Sequence, residues 1–185
     1  MSRLVRWIFA LLAGTACVLG GISLSMLVAD RQLTKPSKDF AFAADLLEHD
    51  GYGALARLIG GARSEVLISA RQLTSRAVLD ALKAASDRGI TVRIILDPGS
   101  NPDPAASALG FLMQNHVGRV LISSRPLYDQ FAVIDRETIV TTAAPWSAVA
   151  ARDLASIVLL RHRGAGAIMR KHFDILAGDA RPAHG

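Results

Sequence analysis

Three side chains in the stretch YDQFAVIDRETIVTTAAPW, which runs from Tyr128 to Trp146, have types and spacing that could do chemistry: Tyr128, Gln130 and Asp135. A phenol can attack an electrophile as phenolate, but little of it is ionised at neutral pH unless a cation lies beside it. Two residues on, Gln130 can donate and accept hydrogen bonds and brings no charge. Asp135 can serve as a base, or it can accept backbone N–H groups in a turn. Further along, Thr142, Ala143 and Pro145 offer few donors, and proline lacks even a backbone N–H. Histidine would be the natural acid–base group. The five histidines (His49, His116, His162, His172 and His184) are scattered; none falls in this stretch and no two are spaced as an acid–base pair. The single cysteine, Cys17, lies in the N-terminal apolar run, which excludes an intrachain disulfide and a thiolate metal site.

The elements that must position these residues follow from hydrophobic periodicity. The stretch itself reads as a hairpin, with strands near 129–134 and 138–142 and a polar turn at Arg136-Glu137. A small-residue loop then closes on Trp146, read as core packing. Upstream, residues 40–47 read as a helix that Gly51-Tyr52-Gly53 breaks, and 54–59 as a short helix ending at Gly60-Gly61. Residues 65–70 alternate as a strand. Thr74 or Ser75 can cap the helix whose apolar positions are Val78, Leu79 and Leu82, and Gly89 is placed to end it. Residues 90–96 form a second strand, stopped by Asp97-Pro98-Gly99. A helix over 105–115, a strand over 119–123, a strand over 155–160 and a closing helix over 164–177 complete the pattern. That helix carries Arg170, Lys171 and His172 on a basic face. Alternating strands and helices predict a layered α/β/α domain, and the hairpin makes its sheet mixed. The domain is expected over residues 40–178, with a tail over 179–185.

Half of the chain is hydrophobic (51%) and a fifth is charged (20%), which excludes a disordered protein. Twenty-one basic residues against 16 acidic ones give a net charge of +5. That excess suits anionic partners such as lipid head groups or nucleic acid, although the charges are interspersed. Residues 7–28 form a charge-free run, WIFALLAGTACVLGGISLSMLV, preceded by Arg3 and Arg6. As a helix it would span about 33 Å, enough for a bilayer core. We read residues 1–29 as an uncleaved transmembrane signal anchor and 30–39 as a linker, with the domain on the extracytoplasmic (periplasmic) side. A cleaved signal peptide releasing a secreted or periplasmic domain is the alternative.

Three phrases, in order, resemble a single-repeat member of the phospholipase D-like phosphodiesterase superfamily. They are EVLISARQLTSRAVLDALKAASDRGITVRIILDPGS, DQFAVIDRETIVTT and APWSAVAARDLASIVLL. The superfamily motif is His-x-Lys-x4-Asp, then six residues, then Gly-Ser-x-Asn. Asp135 stands at the motif aspartate. The histidine position is then Tyr128 and the lysine position Gln130, while Thr142, Ala143, Ala144 and Pro145 occupy the Gly-Ser-x-Asn positions. The register is kept and only the aspartate survives.

The resemblance implies that the motif histidine attacks phosphorus and a second histidine protonates the leaving oxygen. It also implies that the lysine and asparagine stabilise the phosphorane, with no metal or cofactor. Tyr128, Gln130 and Pro145 supply neither imidazole nor ammonium nor amide. The expectation is a domain that binds an anionic phosphodiester, from phospholipid or nucleic acid, or a protein partner, without hydrolysis. Tyr128 and Gln130 are its candidate ligand-binding residues. A divergent phosphodiesterase with non-standard catalytic residues is the alternative. Single-repeat relatives pair as homodimers, so the resemblance also implies a second copy across Tyr128 and Gln130, or a heterodimer with an active relative.

Overall fold

All six residues of the EVLISA stretch are buried, the mark of a strand covered on both faces. The computed structural model describes residues 40–41, 51–99, 108–143, 145–147 and 157–183. In chain order these form β1 (Phe40–Ala41), α1 (Gly51–Gly60), β2 (Glu65–Ala70), α2 (Arg76–Asp87), β3 (Thr91–Leu96) and α3 (Ala108–Gln114). There follow β4 (Arg119–Ile122), β5 (Phe131–Ile134), β6 (Thr138–Thr142), β7 (Ile157–Arg161), α4 (Arg163–Gly178) and β8 (Arg181–Pro182).

The strands make one sheet in the order β1-β7-β6-β5-β2-β3-β4-β8. Strands β2, β3 and β4 run parallel. The hairpin β5–β6 adds antiparallel strands beside β2, so the sheet is mixed as the sequence predicts. Period-two alternation sorts the side chains into two cores. Val66, Ile68, Val92, Ile94, Ala132 and Ile134 pack with α1, α2 and α3 on one face. Leu67, Ile95, Leu121, Phe131 and Val133 pack with Phe173 of α4 on the other. Helices therefore cover both faces, giving three layers.

Several expectations change. Phe40 and Ala41 pair with β7 rather than opening a helix. Gly51-Tyr52-Gly53 opens α1, with Tyr52 buried in the core, while residues 42–47 of the expected first helix lie outside the described residues. The end of the chain is not all tail: Arg181–Pro182 pairs with β4 as an edge strand, where a proline without an N–H is tolerated. Ser75 stands at the N-cap of α2 but makes no side-chain cap bond. Gly89, at φ +81°, ends that helix where only glycine is unstrained. The expected membrane segment, residues 7–28, lies outside the described residues. Among the described residues no helix is long and apolar enough to cross a membrane.

Candidate functional site

The hairpin carries the motif positions to opposite ends of the sheet. Strand β5 runs antiparallel to β2, with Phe131 opposite Ser69 and Ile134 opposite Val66. Tyr128 and Gln130 therefore sit at the carboxyl ends of β2 and β3, where open α/β sheets take their ligands. Asp135 sits five residues further on, about 16 Å away along an extended strand.

At the carboxyl end, Tyr128 is 85% exposed and Gln130 only 6%. The main chain around them is pinned from several elements. The Ser69 hydroxyl donates to the Asp129 carbonyl at 3.0 Å. The Leu127 N–H donates to Asp97 Oδ2 at 2.6 Å, while the other carboxylate oxygen of Asp97 accepts the Gly99 N–H at 2.8 Å. The Thr141 hydroxyl donates to the Gln130 carbonyl at 3.0 Å. The side-chain oxygen of Gln130 is buried and has no hydrogen-bond partner among the described residues. Thr142 is buried and Ala143 exposed. Pro145, at the motif asparagine, contributes only its carbonyl, which accepts from the Tyr52 hydroxyl at 2.6 Å and the Ser147 N–H at 2.8 Å. Trp146 is fully buried, and its carbonyl accepts the N–H groups of Thr74 and Ser75, which stand before α2. Ala144 lies outside the described residues.

At the other end, the turn is centred on Asp135 and Arg136, one residue earlier than the sequence suggests. Both have positive φ (52° and 64°), and the Glu137 N–H closes the turn on the Ile134 carbonyl at 3.2 Å. A two-residue hairpin loop of this kind matches the twist of its strands. The left-handed backbone is costly for a non-glycine residue such as Arg136. The Asp135 carboxylate offsets that cost by accepting the N–H groups of Arg63 (3.0 Å), Ser64 (2.8 Å) and Glu65 (3.3 Å) and the Ser64 hydroxyl (2.9 Å). Partial burial pushes this carboxyl upward, but the four donors outweigh it and hold it below the ordinary range. Helix α4 packs directly on the turn, since a Cβ at Gly166 would collide with the Arg136 carbonyl oxygen.

Among the described residues no histidine joins Asp135, and the partners of its carboxylate are all from residues 63–65. His116 is exposed, and His162 caps α4 by accepting the Ala165 N–H at 3.1 Å. His172 makes the pair that spacing did not reveal: its Nε2 lies 3.0 Å from Asp129 Oδ2, and its ring packs against Phe131 on the α4 side. The partners are 43 residues apart, which no local pattern could show. His49 and His184 fall outside the described residues. Ser69 and Asp97, which position the loop before Gln130, were also missed as site residues. The Asp-Pro-Gly sequence after β3 was their one visible signal. Of the arginines near strands, Arg76 pairs with Asp80, Arg93 with Asp174 and Arg125 with Asp179. Arg71, which follows β2, is exposed at the Tyr128 end.

This architecture is similar to that of Nuc from Salmonella typhimurium, a phospholipase D family member. The TM-score is 0.68 at 16% identity, covering 82% of this chain and 100% of that one. NucT from Helicobacter pylori gives 0.66 at 21% identity, covering 78% and 97%. TrmBL2, an archaeal chromatin protein whose structure shows a mode of DNA binding, gives 0.57 at 13% identity, covering 97% and 68%. No curated protein matches the chain. The family described as cardiolipin synthase, phospholipase D-like domain, matches residues 55–176. That match takes in every strand from β2 to β7 and the hairpin with Tyr128, Gln130 and Asp135, and the chain belongs to this phospholipase D-like family.

Proposed function

We propose that this protein is a membrane-anchored phospholipase D-like domain that holds an anionic phosphodiester, at the end marked by Tyr128 and Gln130, without hydrolysing it. One observation carries the reading. Where the motif calls for imidazole and ammonium, there stand an exposed phenol and a buried neutral carboxamide. Losing one preorganised donor costs a phosphoryl- or acyl-transfer site about 10²–10³ in rate, and losing the nucleophile costs more.

The unpaired Gln130 oxygen supports a binding role. A buried acceptor left without a donor costs about 1–3 kcal/mol. A glycerol or sugar hydroxyl of a bound diester would supply that donor. The names of similar proteins point to the same ligand class: a cardiolipin synthase in the family description, and DNA for TrmBL2. The exposed Tyr128 also suits a partner surface, either a second copy of this chain or a relative with the intact motif. Residues 7–28 would hold the domain on the periplasmic side of the membrane, or, if cleaved, release it there.

The test is a calorimetric titration of the detergent-solubilised full chain with bis(p-nitrophenyl) phosphate at low temperature. Saturable binding is expected, weakened about tenfold in Tyr128→Ala or Gln130→Ala, the equivalent of one good hydrogen bond. Absence of binding by the wild type, or binding that both variants keep, would refute the assignment of the ligand to this end. A second reading, a divergent phosphodiesterase, is favoured by the His172–Asp129 pair, because Asp129 directly adjoins Tyr128. Under that reading turnover depends on both Tyr128 and His172.

A further inference from the structure

The end of the sheet opposite Tyr128 carries arginines that the fold holds in place without using up. Buried Glu65 takes two of them. Arg136 Nε donates to Glu65 Oε1 at 3.1 Å, and Arg170 Nε lies 3.0 Å from the same oxygen, an ion pair without hydrogen-bond alignment. Arg163 Nε lies 3.5 Å from Glu137. All three meet their carboxylates through Nε, and no hydrogen bond among the described residues engages their Nη atoms. A guanidinium fixed in this way keeps its Nη pair for a further contact, and its planar fork suits a phosphate. Together with Lys171 the three line a hollow of about 530 Å³.

A second hollow, of about 440 Å³, is lined by Arg57, Arg63 and Arg161. Asp135 and Glu137 line both hollows, so the two flank the hairpin turn and form one strip. Two of the carboxylates in it are engaged inside the fold. Asp135 accepts from residues 63–65, and Asp174 pairs with Arg93 at 2.7 Å. Glu137 is the exposed exception, with only its long contact to Arg163. Arg57, Arg63, Arg161 and Lys171 are exposed and have no carboxylate partner among the described residues.

Shape and composition select the partner. These cations line hollows, which the phosphates of a strand can enter; a bilayer surface, flat on this scale, meets only what projects. Guanidinium forks in series match a chain that repeats its phosphate. No aromatic ring lines either hollow, so bases find nothing to stack on. We propose that the strip across the hairpin turn, with Arg136, Arg163 and Arg170 on one side and Arg57, Arg63 and Arg161 on the other, binds the sugar–phosphate backbone of a nucleic acid without regard to base sequence. The strip is separate from the Tyr128 end and binds whether or not that end holds a ligand.

The test is fluorescence anisotropy of labelled oligo-dT and oligo-dA of about 20 nucleotides, long enough to cover the strip, with the full chain in an uncharged detergent. Both should bind, with affinities within about threefold of each other. With four phosphates neutralised, the slope of log affinity against log salt should be about −3, and Arg57→Gln/Arg161→Gln should bring it to about −1.4. Glu137→Gln should strengthen binding about twofold, because it removes an exposed like charge and releases Arg163. A variant that merely failed to fold could not give that gain. Absence of binding by the wild type overturns the proposal, as does an unchanged slope in the double variant. Loss of binding in Tyr128→Ala with full binding in the double variant would place the strand at the other end and overturn it too. So would competition by polyglutamate equal to that of unlabelled oligo-dT per charge, or displacement by phosphatidylglycerol added to the micelles at equal phosphate, which would hand the strip to acidic proteins or to a membrane.

Discussion

Four donors from Arg63, Ser64 and Glu65 converge on the Asp135 carboxylate. The aspartate at the expected motif position thus has a structural task, while Tyr128 and Gln130 stand at the expected histidine and lysine positions. Its carboxyl is held low, so its contribution to stability is fully present above the unfolded value of 3.8 and is lost as pH falls through the folded value. Asp135→Asn should destabilise the fold by about 1–3 kcal/mol at neutral pH, the cost of unmatched hydrogen bonds to a charged acceptor. The gap in urea midpoint between variant and wild type should then shrink as pH drops below 3.8. A gap of the same size at pH 3 and pH 7 would show that the carboxylate charge is not what the turn uses. Gln130 is a different case, since its buried oxygen has no hydrogen-bond partner among the described residues.

The hairpin is seated by two contacts from other elements, and each is open to a single substitution. Gly166 lets α4 touch the Arg136 carbonyl, so Gly166→Ala must move the helix or the turn. It should cost about 1–3 kcal/mol, as overpacking does, and lower the thermal midpoint even though alanine favours helices. Trp146 fills the core beneath the Tyr128 end and ties its loop to the start of α2, so Trp146→Ala should cost about 3–5 kcal/mol. A near-neutral result for either would mean that the hairpin is held elsewhere. At this scale much was legible in the sequence. Strands β2 and β6 and the end of α2 at Gly89 follow from local period and turn chemistry, which residues carry in themselves. What escaped depends on distant partners. Strand β8 exists because β4 offers an unpaired edge, and β1 because β7 does. The turn moved one residue because Asp135 finds its donors 70 residues earlier. The His172–Asp129 pair needed α4 laid across β5, and the cationic end needed arginines gathered from α1, β7 and the turn. The motif positions were readable as a register, but their separation to two ends of the sheet belongs to the geometry of β5.

The molecule as a whole has two unlike ends. One carries the exposed phenol of Tyr128 and the buried Gln130 oxygen that has no partner among the described residues, and the other gathers arginines and Lys171 beside the hairpin turn. If residues 7–28 remain attached, the full chain should stay with the membrane pellet after alkaline carbonate extraction. Recovery of a shortened chain in the soluble fraction would instead mark a cleaved leader. The family's frame is present in the sheet, the helices and the Asp135 turn, while imidazole and ammonium are missing from their motif positions. The most direct test of that account is hydrolysis of bis(p-nitrophenyl) phosphate, phosphatidylcholine vesicles and single-stranded DNA by the full chain, beside Tyr128→Phe and His172→Ala. The account predicts no turnover above the protein-free control for any of the three. Turnover by the wild type that disappears in either variant would contradict it.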